Sequence, residues 1–99
     1  MIFTVTDFGF PIQKALRIDN GLVSMFDSSN LNTRSQDLET AWHDAGQFYW
    51  GKPSSWLEGK PVFGPKSNPI KLPRYRVQDI DAMEDWSRAE YIFKLINKL

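Results

Sequence analysis

An α/β fold is what this sequence predicts, and three observations carry it. β-Branched and aromatic residues crowd into short runs closed by turn residues, at 2–6 (Ile-Phe-Thr-Val-Thr, before Asp7 to Pro11) and at 47–50 (Gln-Phe-Tyr-Trp, before Gly51), which marks strands. Two apolar runs, 15–18 and 22–26, flank Asp19-Asn20-Gly21, a turn whose tolerance of positive φ makes the pair a hairpin. At the far end Met83, Trp86, Ala89, Ile92, Phe93, Ile96 and Leu99 recur every three to four residues. That period predicts a helix over 82–99 with one apolar face that must pack on a sheet.

The remaining elements are smaller. An isolated two-stranded hairpin is marginal in water, so the 15–26 hairpin is expected to be an arm packing on something else. Residues 27–37 are polar, with Ser28, Ser29, Asn30, Asn32 and Ser35 favouring turns and caps. Residues 39–43 are expected to form a short turn before Asp44-Ala45-Gly46, with the strand following at 47–50. In the strand that follows, Tyr49 and Trp50 must face opposite sides, so at most one of them lines a site. Residues 52–59 carry proline near the start and glycine after the end, which is a short-helix signature. Prolines at 61, 65, 69 and 73 turn the next stretch into loop, with a brief strand at 70–72.

Composition excludes several function classes. Ninety-nine residues make at most one domain with a modest core. The formal net charge of +0 argues against a nucleic-acid or membrane-surface binder. Lys66, Lys71, Arg74 and Arg76 do cluster around Tyr75, but one aromatic in a neutral domain is a poor single-strand platform. With no cysteine there is neither a disulfide framework nor a thiolate metal site, and with His43 the single histidine there is no catalytic triad or multi-histidine zinc site. Met1 leads straight into a strand without a basic leader or a long apolar run, so the expected location is cytoplasmic. A strand at the first residues also suggests that its sheet neighbours lie on a segment outside this sequence.

Two places carry candidate chemistry. Arg34, in a polar loop beside Gln36, is either solvated or a fork for a carboxylate or phosphate. Within residues 74–86, a short extended run is expected to bring Asp79 and Asp81, two residues apart, to one side just before the last helix. Two adjacent carboxylates repel unless a proton, a basic group or a hard cation lies between them, and Mg²⁺ typically takes one or two carboxylates plus phosphate and water. Asp81 also stands three residues before Glu84, so an N-cap with a capping-box partner explains it without metal, and the two roles can coexist.

Three segments carry a resemblance. Thr33-Arg34-Ser35-Gln36-Asp37-Leu38, the run from His43 through Asp44-Ala45-Gly46-Gln47-Phe48-Tyr49-Trp50 to Lys52, and Arg74-Tyr75-Arg76-Val77-Gln78-Asp79-Ile80-Asp81 resemble the C-terminal part of pseudaminic acid cytidylyltransferases. These are grouped with the N-acylneuraminate cytidylyltransferases, or CMP-sialic acid synthetases. The likeness covers essentially the whole chain, residues 1–99. The family's glycine-rich, basic nucleotide loop, which opens the N-terminal part of the fold, has no counterpart here.

The resemblance implies the C-terminal part of a mononucleotide-binding, Rossmann-like fold of the nucleotide-diphospho-sugar transferase type, with a dimerisation arm at about 8–32, sugar and metal segments at 33–81 and a C-terminal helix at 82–99. The implied reaction joins CMP from CTP to a nonulosonic acid, pseudaminic or sialic, with release of pyrophosphate. It implies Asp79 and Asp81 as catalytic ligands of Mg²⁺, and Arg34, Gln36 and Tyr49 as sugar-binding residues. It also implies a homodimer in which the arm reaches over the partner's active site. Ala45 stands where the sialic acid enzymes have asparagine, which favours pseudaminic acid. The alternative is a non-catalytic remnant that serves as a dimerising or sugar-binding module.

Overall fold

In chain order the strands are β1 (Ile2–Asp7), β2 (Leu16–Asp19), β3 (Leu22–Met25), β4 (Trp42–Trp50) and β5 (Asn68–Lys71), with helices α1 (Pro53–Leu57) and α2 (Met83–Asn97). This is a computed structural model describing residues Met1–Lys98; Leu99, which the apolar spacing assigns to the last helix, lies outside the described residues. The chain divides into two compact units, Met1–Thr6 with the chain from Asp44 onward, and Asp7–His43.

In the first unit β1 is the middle strand of a sheet ordered β4-β1-β5. It pairs in parallel with β5, Phe3 opposite Pro69 and Val5 opposite Lys71. Proline has no N–H to give a ladder and so belongs on an edge strand, which is where Pro69 sits. The centre of β1 is buried: Thr4, Val5 and Thr6, with Ala45 of β4, are the buried residues among those described. Thr4 and Thr6 share a face by the two-residue period but differ chemically. The Thr6 hydroxyl donates to the Leu72 carbonyl at 2.8 Å, whereas the Thr4 hydroxyl is buried with no hydrogen-bond partner among the described residues. An unpaired buried hydroxyl costs free energy and a paired one contributes it. Thr4→Val is therefore expected to raise the urea midpoint and Thr6→Val to lower it, each by about 1 kcal/mol of stability.

In the second unit the hairpin forms as its turn chemistry predicts. β2 and β3 are antiparallel with Asp19 opposite Leu22, and the two loop residues Asn20 (φ 51°) and Gly21 (φ 78°) both take positive φ, the requirement of a type I′ turn. Asp27 then holds a single 3₁₀ turn at Ser28–Asn30 by accepting from the Ser29 N–H.

Several expectations are corrected. β1 finds both of its sheet neighbours, β4 and β5, within this chain and does not depend on a segment outside it for them. The strand expected at 47–50 begins earlier: β4 runs from Trp42 through Asp44-Ala45-Gly46, taking in the end of the expected 39–43 turn. Gly46 adopts φ 69° inside the strand, and its N–H donates to Asp44 Oδ1 at 2.9 Å, so the chain turns locally and then resumes pairing. The brief strand expected at 70–72 lies instead at Asn68–Lys71. The run before the last helix is not a strand. Arg74–Arg76 is a 3₁₀ turn following Pro73, and residues 77–80 have no regular structure. The cap of α2 is also different from the one expected: Ala82 is the N-cap, and the Asp85 carboxylate reaches back to accept from the N–H groups of both Asp81 and Ala82 at 3.0 Å. One acid at the third helical position thus does the work assigned to Asp81 and Glu84, and the Asp81 side chain is not the cap.

The apolar face of α2 is not buried as the spacing predicts. Ala89, Ile92 and Ile96 line a cavity of about 220 Å³ with Tyr75 and Val77, no residue of α2 is buried, and Trp86, Tyr91, Phe93 and Leu95 are exposed. A cluster of exposed large apolar side chains on one element is a feature of surfaces that meet a partner. No helix among the described residues is long and apolar enough to cross a membrane.

Candidate functional site

In the first unit Tyr49 is the candidate residue whose surroundings are best defined. The local turn at Gly46 sets the direction of the second half of β4, and Gln47 ties that half to the next segment by donating from Nε2 to the Arg76 carbonyl at 3.0 Å. Tyr49 is 41% exposed, so its ring is held but reachable. On one side stands Phe3, ring centroids 6.0 Å apart and tilted, itself braced edge-on by Phe63. The Tyr49 hydroxyl donates to Asp44 Oδ2, while the other oxygen of Asp44 holds the Gly46 N–H. One carboxylate thus fixes both the turn and the phenol.

The electrostatics bring in the second segment. The Tyr49 phenol is pushed above its ordinary value of 10.0, first by the hydrogen bond to Asp44, then by desolvation and by the negative charges of Asp44 and Asp79. Asp79, thirty residues further along the chain, therefore lies within electrostatic range of Tyr49. Asp79 and Asp81 are both exposed. Among the described residues no group of three or more His, Cys, Asp or Glu is arranged to hold a metal ion. With 77–80 irregular, strand alternation no longer places Asp79 and Asp81 on one side; what remains is two exposed carboxylates, neither used as the helix cap, of the type Mg²⁺ takes one or two of together with water and phosphate.

The other two candidates belong to the second unit. Arg34 precedes the 3₁₀ turn Ser35–Asp37, and its Nε contacts Asp37 Oδ2 at 2.9 Å with 70% of the arginine side chain exposed. So exposed a pair is weak and can exchange its carboxylate for another. Gln36 is exposed in the same turn. Beside it, Phe8, Phe10, Ser35, Leu38 and Thr40 help line an open cavity of about 140 Å³. The ring of His43 packs edge-on against Phe8, centroids 4.8 Å apart.

Asp44 is the residue that sequence reasoning missed. Its spacing to Gly46 was available as a signal, because aspartate two residues before glycine is a common self-bonding turn. Its bond to Tyr49 depends on the positive φ at Gly46 and could not be counted from strand periodicity.

No protein-family model matches the chain. Among curated proteins it is 44% identical over 95 residues to the pseudaminic acid cytidylyltransferase of Campylobacter jejuni serotype O:23/36 and 43% identical over 95 residues to that of serotype O:2. It is 38% identical over 79 residues to a Helicobacter pylori protein named as both pseudaminic acid cytidylyltransferase and UDP-2,4-diacetamido-2,4,6-trideoxy-beta-L-altropyranose hydrolase. The matches take in 95% of this chain but 41% of either Campylobacter protein, and 80% of this chain against 15% of the Helicobacter one. By sequence, then, the chain is a relative of the cytidylyltransferases. Within that class it is similar to the pseudaminic acid cytidylyltransferases, of whose Campylobacter members it spans about two-fifths of the length.

Proposed function

We propose that this chain supplies the C-terminal part of a nucleotidyltransferase that transfers CMP from CTP to a nonulosonic acid, pseudaminic acid by preference, and releases pyrophosphate. The observation that carries the proposal is the 43–44% identity over 95 residues to the two Campylobacter pseudaminic acid cytidylyltransferases; the negative charge of Asp79 acting on the Tyr49 phenol agrees with it.

In this proposal Tyr49 binds the sugar, Arg34 and Gln36 bind it from their own turn, and Asp79 and Asp81 hold Mg²⁺. The ion, when bound, supplies charge neutralisation at the α-phosphate of CTP. The guanidinium of Arg34 offers the fork that a sugar carboxylate fits, in exchange for its weak pair with Asp37. Ala45 is buried, so this position contributes no hydrogen bond to a sugar, which supports pseudaminic over neuraminic acid. The exposed Trp86, Tyr91, Phe93 and Leu95 of α2 support a chain that works against a companion segment carrying the nucleotide loop. The working assembly is a homodimer in the cytoplasm, with the β2–β3 hairpin as its arm.

Substrate choice tests the proposal. With the preceding part of a Campylobacter relative supplied in trans, pseudaminic and neuraminic acid compete for CTP and the CMP-sugars are separated by mass spectrometry. The expected product is CMP-pseudaminic acid in large excess. Equal use of both sugars removes the preference, and no CMP-sugar from a folded assembly favours a non-catalytic dimerising or sugar-binding module.

A further inference from the structure

We propose that Asp44 is a positioning residue that fixes Tyr49 as a hydrogen-bond acceptor, so that this part of the sugar site recognises a donor, a hydroxyl or an acylamino N–H, and rejects the sugar carboxylate. The substrate half of this inference rests on the function proposed above; the positioning half does not.

A phenol has one proton and otherwise only lone pairs, and an ionised carboxylate only accepts. The Tyr49 proton is committed to Asp44 Oδ2. Asp44 cannot swing away to release it without also giving up the Gly46 N–H on Oδ1, and Gly46 is held at φ 69°, a conformation that suits glycine. Phe3 packs beside the ring, tilted, with centroids 6.0 Å apart. What Tyr49 presents to a ligand is therefore a lone pair on an oriented oxygen. A substrate hydroxyl or N–H completes that geometry. A carboxylate would set acceptor against acceptor in the field of Asp44 and Asp79, leaving both groups desolvated and unpaired. The sugar's negative charge accordingly belongs with a cation, and its neutral donors belong with Tyr49. Because the bond that orients Tyr49 is charge-assisted, the neutral Asp44→Asn variant weakens it while keeping the shape of the side chain.

The test uses two readouts. Tyr75 and Tyr91 are the other tyrosines, so Tyr75→Phe with Tyr91→Phe leaves Tyr49 as the sole source of the tyrosine Raman doublet, whose intensity ratio distinguishes a donating phenol from an accepting or solvated one. The full chain is expected to show a strong donor, and Asp44→Asn a weak or solvated one with circular dichroism unchanged. A solvated pattern in the parent, or no change in Asp44→Asn, overturns the positioning role.

In the assembled enzyme, Tyr49→Phe and Asp44→Asn are expected to raise KM for the sugar about tenfold with kcat little changed, as loss of one uniform binding contact does. An analogue lacking the matching hydroxyl or N–H should lose about as much with the parent enzyme and nothing further with Tyr49→Phe. If the parent enzyme is active and no single-donor analogue shows this coupling, the donor-recognition role is overturned. An inactive parent assembly counts against the proposed function, and the Raman doublet still decides what Asp44 does.

Discussion

Asp79→Asn and Asp81→Asn are each expected to leave the chain folded and to lower turnover of the assembled enzyme by about 10²-fold or more, a few kcal/mol of barrier. Each substitution keeps the side-chain shape and removes one charge from the proposed Mg²⁺ pair. Neither should disturb α2, because the carboxylate that caps it is that of Asp85, which takes the N–H groups of Asp81 and Ala82. Raising Mg²⁺ should recover part of the loss if affinity is what suffers. Asp85→Ala is the control with the opposite pattern, costing about 1 kcal/mol of helix stability and little of the metal dependence. Unchanged turnover and unchanged Mg²⁺ response in both asparagine variants would make the acidic pair structural.

The second large effect is expected in association. The hairpin register places Leu16 opposite Met25 and Ile18 opposite Val23, so these four side chains share one face. Leu16, Ile18 and Val23 are exposed, Ile18 by 76%. A pair of four-residue strands cannot bury that face by itself. Sedimentation of the wild-type chain should therefore show self-association. Leu16→Asp combined with Val23→Asp, which puts two charges on the shared face, should abolish it while the Asn20-Gly21 turn persists. A folded wild-type monomer at high concentration would count against the arm.

How much could be read in advance follows from how local each signal is. The hairpin was legible because its turn is specified by two adjacent residues, Asn20 and Gly21, whose conformational tolerance is intrinsic. The short helix after Pro53 and the strand at the start of the chain were legible for the same reason. The start of β4 was placed too late because Asp44-x-Gly46 is a turn-forming pattern, and here the strand runs through it with Gly46 at positive φ. Capping of α2 was misassigned because Asp81, Glu84 and Asp85 all stand near the helix start, and only the backbone path decides which carboxylate reaches back.

The site was legible as residue types and not as geometry. Asp79 and Asp81 stand out by their spacing and Tyr49 through resemblance, but the electrostatic influence of Asp79 on Tyr49, thirty residues away in the chain, is a long-range effect that no local pattern encodes. Nor could the sequence show that Arg34 spends its exposed fork on Asp37, or that Ala89, Ile92 and Ile96 of α2 would line a cavity with Tyr75 and Val77.

The most direct measurement is pyrophosphate release from CTP and pseudaminic acid, made on the purified chain alone and then with the preceding part of a Campylobacter relative added. Positioning supplies much of the catalysis in phosphoryl transfer, and this chain has no glycine-rich basic loop to hold a triphosphate. The expected result is no release above background from the chain alone and sugar-dependent release from the combination. Robust CTP-dependent release by the chain alone, with contaminating enzyme excluded, would contradict a part that needs a companion, and silence from a folded, associated combination would contradict a cytidylyltransferase part altogether.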